Sequence, residues 1–223
     1  MRFPNAYDGV KKIYTAEILS IVAGVLGILT AIMGVFAAAA LTTGTGGGML
    51  AGLVTGAGAG VLGFIMLILM IVAFIMNILG VSSASKDEEM FSQAMMWIII
   101  GIVVNVASTL LGGIKLLSGL LSIVSTFASF MVTYSVLKGI ISIASTICDS
   151  AVAAAAENSV RFLMLTYLLS AVFGLVGTIL SSFGTGGGIL AAILTVIEIV
   201  FQLVSYFIYF GVLGKAKDML ASV

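Results

Sequence analysis

The chain has 223 residues, 61% of them hydrophobic and only 8% charged, against roughly a quarter charged in an ordinary soluble domain. Nine basic and nine acidic side chains cannot clothe a water-soluble core of this size, and their exact balance leaves no basic field for nucleic acid. Histidine is absent and Cys148 is the only cysteine, which excludes a Ser-His-Asp triad, an H-E-x-x-H zinc site, a thiolate cluster and an internal disulfide. No catalytic residues, cofactor or metal are therefore expected, and Cys148 reads as a small packed or lipid-facing hydrophobe.

The apolar residues fall into six blocks of about 18 residues or more, the length that lets a helix cross hydrocarbon. They are Ile18 to Leu41, Gly60 to Gly80, Ala94 to Leu111, Gly119 to Leu137, Phe162 to Ser182 and Ile189 to Leu213. Each is predicted as a spanning α-helix, because a helix satisfies its own backbone inside lipid, and the strict alternation of a barrel strand is missing. Ala38-Ala39-Ala40 resembles a signal cleavage site, but the run before it is too long and its leader carries Asp8 and Glu17, so the segment is expected to stay as the first span.

Between the first two blocks, Thr43 to Gly60 is open to three readings: an outer loop, a half-helix or part of span two. Gly52, Gly56 and Gly60 recur every four residues there, a spacing that lets helices approach closely; Ala23, Gly27 and Ala31 do the same in span one, where Gly24 is a further packing glycine. Asp87, Glu88 and Glu89 precede span three and are expected to cap it, since carboxylates favour the positive end of the helix dipole. Trp97, Phe91 and Tyr14 read as anchors at the inner boundary.

After span four, Ile140, Ile141, Ala144, Ile147, Cys148 and Ala151 recur at helical spacing, with Ser142, Ser145, Thr146 and Asp149 elsewhere on the wheel. This predicts an amphipathic helix, lying in the inner interface or extending span four. A seventh span there would hold Asp149 in hydrocarbon at a cost of about 2.5–3.5 kcal/mol.

Spans five and six repeat features of spans one and two. Gly44-Thr45-Gly46-Gly47-Gly48 matches Gly184-Thr185-Gly186-Gly187-Gly188, and Gly24 and Gly27 match Gly174 and Gly177. The chain thus reads as an all-α, six-span bundle of three tandem helical hairpins, 18–80, 94–137 and 162–213. Segment 1–17 and tail 214–223 lie in the cytoplasm, and 138–161 forms the interfacial link. In topology alone this resembles the mitochondrial carriers, whose proline-kinked helices have no counterpart here, the one proline being Pro4. Arg2, Lys11, Lys12, Lys86, Lys138, Arg161, Lys215 and Lys217 all fall on one side, and only Lys115 on the other, which places both termini inside. A bacterial cytoplasmic membrane is the expected location.

Span six carries the most informative residue. Glu198 lies well inside the apolar block, with Thr195 and Gln202 each about a turn away on the same stripe, and Asn105 of span three as a partner across the interface. The set serves either as a site for a proton or cation or as a hydrogen-bonding clamp between helices. The functional expectation is a small channel or transporter for an ion or small solute, and the alternative is a non-catalytic accessory subunit. Its surroundings are lipid and either further copies of itself or a partner membrane protein.

Overall fold

A computed structural model describes the backbone of residues 2–42, 46–111, 115–181 and 184–223, with side chains described outside 40–55, 111–120, 122, 171, 174, 175, 177–189, 191 and 192. Six α-helices make up this backbone: α1 (Pro4–Thr42), α2 (Gly46–Ala84), α3 (Glu89–Leu111), α4 (Lys115–Ile147), α5 (Ser150–Ser181) and α6 (Gly184–Ala221). No strand occurs among the described residues. Five stretches, Pro4–Ala39, Gly56–Ala84, Glu89–Leu110, Ile123–Ile147 and Ile193–Ala221, are long and apolar enough to cross a bilayer, which gives the chain the character of a multi-pass membrane protein. The remaining apolar block, Phe162 to Ser182, belongs to α5 and runs into residues outside those described.

The helices outrun the apolar blocks. With 39 residues, α1 is about 58 Å long at 1.5 Å per residue, roughly twice the hydrocarbon thickness. Hydropathy marks only the stretch that meets lipid, whereas helical hydrogen bonding continues until something stops it. Pro4 opens α1, where its missing N–H costs nothing. The glycines from Gly46 to Gly60 are neither loop nor half-helix: they form the first turns of α2, and Gly184 to Gly188 likewise open α6. Thr43 to Thr45, Gly112-Gly113 and Ser182-Phe183 lie outside the described residues.

Of the two readings of the stretch after span four, a helix lying in the inner interface or an extension of the span, the structure has the extension, with a second helix beginning inside 138–161. Here α4 continues unbroken to Ile147 and α5 begins at Ser150. Two residues make the turn. The amide of Cys148 donates to the Ser145 carbonyl and that of Asp149 to the Ala144 carbonyl, the two bonds of a Schellman cap, with Cys148 in the left-handed region at φ 67°. Asp149 then accepts from the amides of Ala151 and Val152 at 3.1 and 3.0 Å, as an N-cap does. Cys148 is exposed in this turn, so it is not packed. The amphipathic period seen in the sequence is real for α4, but its buried line runs through Leu137, Ile140, Ile143 and Ala144 and ends there.

The chain divides into two compact units, Met1–Lys11 with Gly80–Val223, and Lys12–Leu79. In the first, α3 packs on α4, α4 on α5 and α5 on α6. The large buried side chains of this unit gather near helix ends: Val10, Val81, Phe91, Leu137, Ile140 and Leu213. Phe91 is therefore core, not a boundary anchor. Its ring lies on Gly139, where an added Cβ would stand 2.6 Å from the ring edge. Gly9 meets α2 more tightly still, since a Cβ there would fall against the Gly80 carbonyl oxygen as well as 2.6 Å from the Ala84 nitrogen.

Carboxylates complete this end. Asp87 accepts from the Asn5 side-chain amide and from the backbone amide of Ala6, both at 2.8 Å, so it caps α1 rather than α3. Asp8 accepts from Ser83 and Glu88 from Ser142, each at 2.9 Å. The acidic run expected to cap span three thus ties α1 and α4 to the α2–α3 turn. Glu89 alone sits in the first turn of α3.

The second unit pairs the middle of α1 with the middle of α2 in antiparallel sense. Met66 fits the notch at Gly27 and Met33 the notch at Gly58, where added Cβ atoms would meet the sulfur at 3.0 Å and the methyl at 2.8 Å. Flexible thioethers fill glycine notches well.

Candidate functional site

Polar side chains inside apolar spans are the natural candidates, because each must find a partner or remain costly. On α3, Asn105 donates to the Gly101 carbonyl at 2.9 Å and accepts from the Ser125 hydroxyl of α4 at 3.3 Å. Thr109 donates to the Asn105 carbonyl at 3.0 Å. The hydroxyl row continues down α4, Ser129 donating to the Ser125 carbonyl and Thr133 to that of Ser129, at 3.1 and 3.3 Å.

On α6 the amide of Gln202 donates to Glu198 at 3.0 Å and reaches the Ser170 hydroxyl of α5 at 3.5 Å. The one-turn spacing read from the sequence therefore becomes a hydrogen bond. Glu198 is half-buried, while Gln202 and Thr195 are exposed. Asn105 is bonded within the α3–α4 pair, and Glu198 within the α5–α6 pair. Ser125 and Ser170, the partners that hold them, are ordinary serines in apolar runs and carry no signal of their own. The i, i+4 recurrence of Ser125, Ser129 and Thr133 on α4 is the one hint the sequence offers.

The two polar pairs nevertheless share a depth. The rings of Phe130 of α4 and Tyr167 of α5 meet at a tilt of 60° with centroids 4.8 Å apart, which brings these turns of the two helices to a similar level. Five residues from Phe130 is Ser125, which is thereby level with Val172 of α5. The Ser170–Gln202 contact in turn puts Val172 level with Val200, midway between Glu198 and Gln202. Asn105, Ser125, Glu198 and Gln202 thus lie at a similar level along the helices.

The glycines expected to pack helices behave differently from one another. Gly27 holds Met66, and Gly56 faces Ala37 at ordinary van der Waals distance, 3.9 Å from an added Cβ. Gly24 and Gly60 face open space. The surroundings of Gly52, Gly174 and Gly177 lie outside the described residues. Among the described residues, no three of His, Cys, Asp and Glu are grouped as a metal ion would need.

No family model, curated protein or solved structure matches the chain.

Proposed function

We propose that the protein is a subunit of a membrane transport system, with Glu198–Gln202 and Asn105–Ser125 as polar stations for a proton or small cation. The observation that carries this reading is their common depth inside apolar spans. A carboxyl with an amide neighbour is an expensive thing to place among hydrocarbon, and such groups commonly mark ion pathways. The carboxyl offers an exchangeable proton or a cation ligand, and the amides and hydroxyls offer the neighbouring positions.

In this reading the six helices are six spans in three tandem hairpins with both ends cytoplasmic, which puts every basic residue but Lys115 on the inner side as insertion prefers. Lys138 and Arg161 then sit at anionic headgroups, and the bacterial cytoplasmic membrane remains the proposed location.

The test is ion flux from liposomes holding the purified protein. Wild type is expected to dissipate an imposed proton or potassium gradient, and Glu198→Gln, which keeps the shape and removes the charge, to lose most of that flux. Flux unchanged in Glu198→Gln would sink the reading.

The alternative, a non-catalytic accessory subunit, is favoured by the hydrogen-bonded tie of α1, α3 and α4, which suits a fixed scaffold. It predicts no flux from either protein and recovery of a different membrane protein on purification in mild detergent.

A further inference from the structure

We propose that the strip of aromatic rings running from Lys138 of α4 to Trp97 of α3 is a binding site for one anionic phospholipid, its phosphate on the lysine and an acyl chain along the rings. The inference uses neither polar station of the transport reading and stands whether or not the protein passes ions.

Lys138 closes the apolar block Gly119 to Leu137 and is the single charged side chain of the stretch Ile123–Ile147. A cation so placed takes an anion or water. No carboxylate among the described residues pairs with it. The acids at this end are engaged elsewhere: Asp8 with Ser83, Asp87 with Asn5 and Ala6, and Glu88 with Ser142. Lys138 instead lays its ammonium over the ring of Tyr134, one turn back along α4 and 5.8 Å from the centroid.

That ring begins a run. Tyr134 stacks on Phe130 at 5.9 Å, and Phe130 meets Tyr167 of α5 at 4.8 Å and Phe127 at 6.2 Å. Phe127 in turn meets Trp97 of α3 edge to face at 5.5 Å. Phe127, Phe130, Tyr134 and Lys138 stand three or four residues apart and so share one face of α4. Phe127 is exposed and the rest of the strip half-buried, which leaves it open along its length. From Phe127 to Lys138 the helix rises about 16 Å. That is close to half of the roughly 30 Å hydrocarbon thickness. The strip is therefore as long as one leaflet is deep.

An anionic phospholipid matches both parts of this arrangement. Its phosphate neutralises the lysine through charge-assisted hydrogen bonds, and its chain has the length of the rings. A free phosphate would leave the rings bare. An apolar helix of another protein would leave the lysine without an anion. Basic side chains between membrane helices recognise anionic headgroups in this way, and here the rings add a place for the chain.

Trp97 is the only tryptophan of the chain, so its fluorescence reports on the far end of the strip alone. The full chain is placed in phosphatidylcholine vesicles, and phosphatidylglycerol or phosphatidylcholine brominated toward the ends of its acyl chains is titrated in. Bromine quenches tryptophan on contact. In wild type, brominated phosphatidylglycerol is expected to quench at about fivefold lower mole fraction than brominated phosphatidylcholine, the preference that one basic residue at an anionic surface gives. Raising the salt concentration should shrink the difference. Lys138→Gln should abolish it and leave quenching by phosphatidylcholine unchanged, which also shows that the variant is folded and inserted. Lys138→Arg should keep it, as should Lys215→Gln, which removes an exposed cation of α6.

Equal quenching by the two lipids in wild type, a preference indifferent to salt, one that survives Lys138→Gln, or one lost equally in Lys215→Gln would each overturn the inference. So would a Trp97 that neither lipid quenches, the result expected if a protein segment covers the strip.

Discussion

At Gly9 the missing side chain is what lets α1 touch the backbone of α2. Atoms of Gly80 and Ala84 occupy the place a Cβ would take, and backbone cannot swing aside as a methionine can. Gly9→Ala should therefore cost about 1–3 kcal/mol or more. Gly60→Ala, facing open space in a helix, should be neutral or slightly stabilising. Thermal unfolding of both variants in one detergent makes the comparison; equal effects would refute the packing argument. Cys148 poses the opposite case, a side chain where the backbone prefers none. Its left-handed conformation costs a non-glycine residue about 1–2 kcal/mol. Cys148→Gly should recover part of this, about 0.5–1 kcal/mol after the flexibility it adds to the unfolded chain, and raise the melting temperature.

Among the elements, α1 has the most unusual start. Its first turn carries no acid, and its N-terminal amide is capped by Asp87 from 81 residues away. Asp87→Ala should cost about 1–2 kcal/mol, with faster hydrogen exchange at the Ala6 amide and little change at the first turn of α3. If exchange rises instead at α3, the cap has been misassigned. This arrangement also shows where sequence reading stops. The run of Asp87, Glu88 and Glu89 announces a helix cap, but which helix it caps is a tertiary fact, set by the close approach at Gly9. The start of α2 is open in the sequence for a related reason. Glycine weakens helices in water, so Thr43 to Gly60 stays open between a loop, a half-helix and part of span two. In the structure the α2 helix nevertheless runs through these glycines from Gly46.

For the whole molecule, the long apolar blocks made an all-α membrane protein legible from composition alone, and Gln202 beside Glu198 was legible from one-turn spacing. Pairings across helices were not: Ser125 with Asn105 and Ser170 with Gln202 depend on which faces meet, and hydropathy is silent on faces that are apolar all round. The placement of the buried side chains has one more consequence. Val10, Phe91, Ile140 and Leu213 are buried toward helix ends, whereas the apolar middles of the helices are largely bare; in a bilayer the first would be held by the hydrophobic effect and the second would be covered by lipid. The protein is governed by two solvents at once. Urea, which acts on the aqueous one, should loosen the first unit's core and its carboxylate ties while leaving most of the helical circular dichroism intact. A single cooperative loss of both signals would contradict this. A melting curve for this protein therefore reads out at least two transitions, and any one midpoint describes only the part of the fold that its probe happens to see.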